Sequence, residues 1–472
     1  MSASDRRTGR RIRLAAHFPG VNNTTVWADP RSHSQIGFGS FAHLARTAER
    51  GGFDYLFLAE GLRLREHRGR IHDLDVMGRP DTLTVLAALS AVTEHLGLAG
   101  TLSATYNEPY EISRQIATLD HLSGGRAAWN VVTSSDAFTG ENFRRGGYLD
   151  HADRYERAES FLRAARAFWD SWDTDALSPH TGTRGTARPG AVHPVSHRDR
   201  FFDIAGNATV PRPPQGHPVI IQAGDSPRGR DLAAAQADVV FSRHGGLEEG
   251  REFYADVKAR LPAHGRDEDD LLIMPAATLV LGDTEEEAAE RARHIRYQQV
   301  SGATAIQFVE QVWGRDLSDH DPEGPFPTVE PDLDTVVTQG KAAARFHDRA
   351  AKAREWRDLA EAEGLSLREL VVRVSARQTF VGTPRTVADT LVEHVETRAC
   401  DGFVLVPHLT PGGLDEFVDR VVPLLRERGA LRTEYEGATL RENLGLRPRP
   451  APDRGATREP SGAGEPTPVP GP

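Results

Sequence analysis

The sequence predicts an α/β chain closed into a (β/α)8 TIM barrel with insertions, and three observations carry that reading. Eight short apolar runs recur along the chain, amphipathic stretches of helical period separate many of them, and several of those stretches end on glycine. A short apolar run without polar alternation suits a parallel strand buried on both faces. Strands that alternate with helices pair in parallel, and eight of them close a barrel.

In order, the run Ile12 to Phe18 is followed by the amphipathic FAHLARTAERGG and by the run Tyr55 to Ala59. TLTVLAALSAVTEHLG leads into Leu96 to Leu102, and ISRQIATLDHLSGG into Ala127 to Val132. RYERAESFLRAARAFWDSW follows, and the remaining runs are Val219 to Ala223, Val239 to Phe241, Leu271 to Val280 and Phe403 to Val406. Residues 173–216, rich in Pro, His and Gly, are expected to form a long excursion with a short strand near Phe201 to Ile204. Residues 300–380 read as extra helices after a Pro-rich loop, including KAAARFHDRAAKAREWRDLAEAEG; insertions of this kind on a barrel commonly serve as binding loops or lids. Residues 1–445 are expected to form one domain, and residues 446–472, with eight prolines, a disordered tail.

Lys and Arg number 57 against 68 Asp and Glu, a formal net charge of -11 that repels phosphate backbones and argues against a nucleic-acid partner. The single cysteine, Cys400, excludes an intrachain disulfide and reads as a packing thiol. The start, MSASDRRTGRRIRL, carries arginines, but His17, Pro19 and Gly20 interrupt the apolar stretch behind it, so no signal-peptide core forms. No segment reaches the roughly 18 consecutive apolar residues of a membrane span. A cytoplasmic location away from membranes is the expectation.

Barrel chemistry sits at the C-terminal ends of the strands, so the polar residues after each run are the candidates. They are His17, Glu60, Thr101 to Thr105, Asn130 to Ser134, Ser226, Arg243 with His244, and His408. In PVIIQAGDSPRGRDLAAAQAD, Ser226 suits an N-cap and Pro227 the first helical position. With Arg228 or Arg230 nearby, that helix start is either a phosphate site or an ordinary capped helix. His151 and Tyr155 stand four residues apart on one helix face, as ligand contacts or as local packing. Asp150 and Asp153 flank His151 without a second cluster at ligand spacing, so no metal site is expected.

The segments LARTAERGGFDYLFLAEG, AVTEHLGLAGTLSATYNEPY, TLDHLSGGRAAWNVVTS, LDHADRYERA, PVIIQAGDSPRGR and FVDRVVPLLRERGALRTEYEG run in that order through nearly the whole chain up to about Leu446. With them the sequence resembles the nitrilotriacetate and dibenzothiophene-sulfone monooxygenase group of the bacterial-luciferase-like superfamily. The resemblance implies a luciferase-like barrel that takes reduced FMN from a separate NAD(P)H:flavin reductase. It further implies that O2 oxidises a small molecule next to nitrogen or sulfur, with C–N or C–S cleavage, and that the protein is a homo-oligomer, a dimer or tetramer.

Flavin contacts carry over to Thr101 in GLAGT, His151 and Tyr155 in DHADRY, and Ser226 in GDSPRGR. The fifth family position, an Asp in FLxDG, is here Glu60 in FLAEG, which keeps the charge but is one methylene longer. WNVVTS suggests that Asn130 and Ser134 line the reacting face of the flavin, where donors and dryness are needed. His17, at the end of strand one, either contacts substrate or is a hydrogen-bonded core histidine. No GxGxxG follows a strand, so no nicotinamide domain is expected. A deazaflavin-dependent hydride transferase and a flavin carrier or sensor without turnover are the alternatives.

Overall fold

The computed structural model describes residues 10–20, 25–64, 66–67, 69–71, 78–134, 137–143, 151–177, 187–335, 348–375 and 378–453. The arginine-rich start up to residue 9, parts of both insertions and residues 454–472 lie outside the described residues. Eight strands form the closed ring: β1 (Arg13–His17), β2 (Tyr55–Leu58), β3 (Gly97–Ser103), β4 (Ala127–Val132), β5 (Val219–Gln222), β6 (Val239–Ser242), β7 (Leu272–Ala277) and β8 (Gly402–Leu405). Each pairs in parallel with its neighbours in sequence, and β1 closes on β8 with Leu14 opposite Phe403. The eight apolar runs therefore are the eight barrel strands.

The seventh run differs from its expected form. It breaks at Thr278, and Leu279–Leu281 leaves the ring to pair in parallel with Phe380–Gly382. The excursion 173–216 contributes an antiparallel pair, Val195–Arg198 with Asp203–Gly206, two residues beyond the expected strand start at Phe201.

Helices α1 (Phe38–Arg50), α2 (Thr82–Ser90), α3 (Pro109–Leu122), α4 (His151–Trp169), α5 (Pro227–Gln236) and α6 (Leu247–Arg260) follow the strands. Local chemistry starts several of them: the Asp81 side chain accepts the Thr84 N–H at α2, and Pro109 occupies the first turn of α3. Helix α7 (Glu285–Gln299) lies against the loops after β1 and β8, sharing a buried cluster of Val26, Val280, Ala292, Ile295 and Leu409. The second insertion supplies α8 (Gly302–Trp313), α9 (Arg349–Glu363) and α10 (Leu367–Ser375), which bury Trp313 and Trp356 in a core of their own. Helix α11 (Pro384–Glu396) precedes β8. Cys400 is buried there, and desolvation pushes its thiol up, away from the reactive thiolate. No helix of the described residues is long and apolar enough to cross a membrane.

Inside the ring, Ala15, Tyr55, Ala99, Ala128, Val219, Val239, Met274 and Val404 share one cluster with Leu440, Leu444 and Leu446. Those three leucines plug the N-terminal end of the barrel, and a Cβ on Gly97 would meet Leu440 Cδ1 at 2.6 Å, so only glycine lets the plug in. The expected disorder therefore does not begin at Leu446. Residues up to Asp453 are placed: Arg449 reaches Asp238 at 3.2 Å, and Arg212 Nη2 donates to the Arg449 carbonyl at 2.9 Å.

Arg441 seals the same end. Its guanidinium donates to both oxygens of Asp238, at 3.1 and 2.8 Å, and both side chains are at most 3% exposed. Burial alone would raise the Asp238 carboxyl, but Arg441 holds it well below the ordinary carboxylate range. Arg441→Met leaves a buried charge with one half-exposed partner, and is expected to cost about 3–5 kcal/mol in chemical denaturation at neutral pH. A depressed carboxylate contributes stability above its unfolded pKa and loses it in acid, so the penalty shrinks below about pH 4. A penalty under about 1 kcal/mol, or one that grows in acid, contradicts this role.

Candidate active site

Side chains alternate along a strand, so residues two apart share a face. Ala15, Ala99 and Ala128 face the barrel interior, and two residues further on stand His17, Thr101 and Asn130, all buried. The chain thus changes from apolar to polar on the inward face just where β1, β3 and β4 emerge. Thr101 and Asn130 are register partners, and the Asn130 amide donates to Thr101 Oγ1 at 3.0 Å. One step outward, Ser103 and Ser134 exchange a hydroxyl hydrogen bond at 2.8 Å. Two polar pairs consequently climb the β3–β4 seam.

Among the described residues, buried side-chain atoms at this end without a hydrogen-bond partner include His17 Nδ1, Asn130 Oδ1, Glu60 Oε2 and Ser242 Oγ. Orphans of that kind cost about 1–3 kcal/mol each, and convergence of several marks a site built for a polar ligand. The aromatic wall beside them joins His17 to Phe57 with ring centroids 5.5 Å apart, and Phe57 to Phe241 at 5.2 Å. Phe57 is buried and excludes water from the same face.

Glu60 departs from its sequence-based expectation. Burial first, and then Asp81, push its carboxyl up to about 8 against the opposing Ser103 N–H and Arg79. Glu60 therefore does not keep the charge that an aspartate-like role assumes. The Arg79 guanidinium donates to the Ala59 carbonyl at 2.5 Å and reaches both Glu60 and His17 electrostatically. Sequence reading singled out neither Arg79 nor Asp81, because they precede α2 rather than follow a strand.

Across the mouth, Ser226 caps α5: its hydroxyl oxygen accepts the Gly229 N–H at 3.1 Å. Tyr155, on α4, lies 3.0 Å from that hydroxyl, so Tyr155 and Ser226 meet although 71 positions separate them. The turn is tight, since a Cβ on Gly229 would come within 2.9 Å of the Gly224 carbonyl carbon. Arg228, beside the helix start, is 3.7 Å from Glu156, while Asp225 engages Arg230, Arg243 and His244. His151 opens α4 one turn before Tyr155, and its side chain lies outside the described residues. His408 sits apart from the orphans: burial and then Arg31 and Arg291 push it down to about 4.

A cavity of about 600 Å³ lies at the opposite end of the barrel, between residues 211–216 and the segment around Pro448. Its arginines are committed, Arg212 to Asp170 and Arg441 to Asp238, and none of the orphaned polar atoms lines it. Size alone does not make it the reactive site.

Burial first, and then the Arg79 charge, push the His17 imidazole down to about 3, so it is neutral in the folded protein. A folded pKa below the unfolded value contributes stability present above about pH 6.5 and lost as the pH falls. His17→Leu is therefore expected to gain on wild type in chemical denaturation below about pH 6, by up to roughly 1.4 kcal/mol per pH unit. Parallel acid profiles for the two proteins contradict a buried neutral ring.

Comparison with known proteins shows the family and the fold. The family model described as luciferase-like monooxygenase matches residues 22–402. A dibenzothiophene-sulfone monooxygenase of Rhodococcus erythropolis (strain XP) is 40% identical over 93% of this chain and 97% of its own length. Nitrilotriacetate monooxygenase component A of Aminobacter aminovorans is 38% identical over 89% of this chain and 92% of its own. Among solved structures, a riboflavin lyase with modified FMN and riboflavin superposes with a TM-score of 0.76 at 31% identity, covering 93% of this chain and 96% of that one. The chain therefore belongs to the luciferase-like monooxygenase family, and it is a flavin-dependent monooxygenase.

Proposed function

We propose that this chain is the oxygenase of a two-component system, taking reduced FMN from a separate NAD(P)H:flavin reductase and oxidising a small organic substrate next to nitrogen or sulfur. C–N or C–S cleavage is the outcome. The reading includes a homo-oligomer, dimer or tetramer, working in the cytoplasm. The observation that carries it is the set of orphaned buried atoms, His17 Nδ1, Asn130 Oδ1 and Glu60 Oε2, at the same end of the barrel as the Tyr155–Ser226 pair. A flavin ring edge presents both donors and acceptors, and its phosphate suits a helix start, so the residues present fit the group. The relative named component A and the FMN in the riboflavin lyase support the same reading.

Bound reduced FMN supplies the electrons that activate O2 for transfer of one oxygen atom to the substrate. Ser226, Tyr155 and the first N–H groups of α5 would hold the phosphate, with His151 as the further family position. Thr101 and Glu60 would contact the ring, while Asn130 and Ser134 would offer hydrogen-bonding groups to it. Neutral His17 offers an unprotonated nitrogen or an N–H to the substrate without attracting counter-ions. Phe57 and Phe241 keep that space dry, which strengthens every polar contact inside it.

Ser226→Ala removes one charge-assisted donor of about 1.5–3 kcal/mol, so reduced-FMN affinity is expected to weaken roughly ten- to a hundredfold. Loss of the cap costs only about 1 kcal/mol of stability, so the fold survives. Riboflavin, which lacks the phosphate, is expected to bind wild type and variant alike; equal weakening of both ligands places the phosphate elsewhere.

NADH with this protein alone is expected to give no turnover, and adding a competent flavin reductase restores it. NADH oxidation without reductase overturns the two-component scheme.

A further inference from the structure

We propose that Glu60 enters the flavin site as a neutral carboxylic acid that donates a hydrogen bond to the bound ring, and that this proton favours reduced over oxidised FMN. The inference rests on the flavin reading above and deepens it.

Glu60 follows β2 by two residues, and its Oε2 is sealed from water without a protein partner. The Ser103 N–H from β3 bonds to the carboxyl group, so acceptor capacity is already partly used while Oε2 is left over. An ionised Oε2 there would be a desolvated charge with no donor, whereas a protonated one is an O–H with a bond to give.

The charges acting on the group come from the segment before α2. Asp81, fixed as the cap of that helix, opposes ionisation. Arg79 favours ionisation, but its Nη1 is directed at the Ala59 carbonyl. His17, at the end of β1, is neutral and adds no counter-charge. Burial with Asp81 prevails, pushing Glu60 up to about 8.

Reduced flavin readily loses a ring proton near neutral pH and then carries negative charge, while the oxidised ring is neutral. An O–H donor to an anionic acceptor makes a charge-assisted bond, roughly twice as strong as a neutral one. A carboxylate in the same place would repel the anion. The proton on Glu60 is thus worth more to the reduced cofactor than to the oxidised one.

Anaerobic titration of reduced and oxidised FMN into wild type and Glu60→Gln, from about pH 6.5 to 9.5, tests this. Glutamine keeps a neutral N–H donor and cannot ionise. Both proteins are expected to prefer reduced FMN at pH 7, and above about pH 8 the wild type to lose reduced-FMN affinity by about tenfold per pH unit relative to the variant. Infrared spectra of the wild type supply a readout independent of the variant's folding: a carboxylic-acid C=O band at pH 7 that disappears above the Glu60 transition. Parallel pH profiles, or no acid band, overturn the inference while leaving the flavin site standing. No reduced-FMN binding by wild type at pH 7 overturns both.

Discussion

Eight parallel strands leave the barrel a single reactive end, because every strand emerges there and every second side chain must point inward. On β1, β3 and β4 that inward position changes from Ala15, Ala99 and Ala128 to His17, Thr101 and Asn130. Burying these polar groups is costly unless they are paired, and the chain leaves His17 Nδ1, Asn130 Oδ1 and Glu60 Oε2 unpaired. Stability is given up at the mouth, where a ligand offsets it.

At the other end the buried carboxylates have partners, although Arg432 Nη1 is itself left without one. Asp238 is met by Arg441 and Arg449, and Asp54 accepts the Leu14 N–H at 2.8 Å beside Arg432. Asp120 accepts from the Ala127 N–H and from Gln215. With Leu440, Leu444 and Leu446 closing the bore, these pairs tie the base of the barrel together. Such a base matters to the site, since a ligand pocket at the mouth is only as well placed as the strands that carry it.

Much of this was legible in the residues. Apolar runs located all eight strands, because a strand buried on both faces cannot hide its composition. Ser226 and Tyr155, nominated from separate motifs, meet at 3.0 Å. Other features left no local signal. The break at Thr278 depends on the partner strand Phe380–Gly382, a hundred residues away, and apolar residues suit both halves. The Pro-rich start of the tail is held by Arg449 and by the plug leucine Leu446, contacts that composition does not encode. The upward push on the Glu60 carboxyl comes from burial and from Asp81, neither of which is visible in FLAEG. Ser103 was one of several hydroxyls around the end of β3, and only the folded arrangement brings its side chain to Ser134.

We propose that one atom of O2 reaches a small organic substrate in this barrel at the expense of reduced FMN. The most direct measurement supplies enzymatically reduced FMN and isotopically labelled O2 to the protein with panels of sulfones, thioethers, amines and amino-polycarboxylates, and follows the label by mass spectrometry. Substrate-dependent oxygen uptake and a product carrying one labelled oxygen are expected, beside cleaved C–N or C–S fragments. Oxygen uptake that yields only hydrogen peroxide with every class, or a product whose new oxygen comes from water, would contradict it.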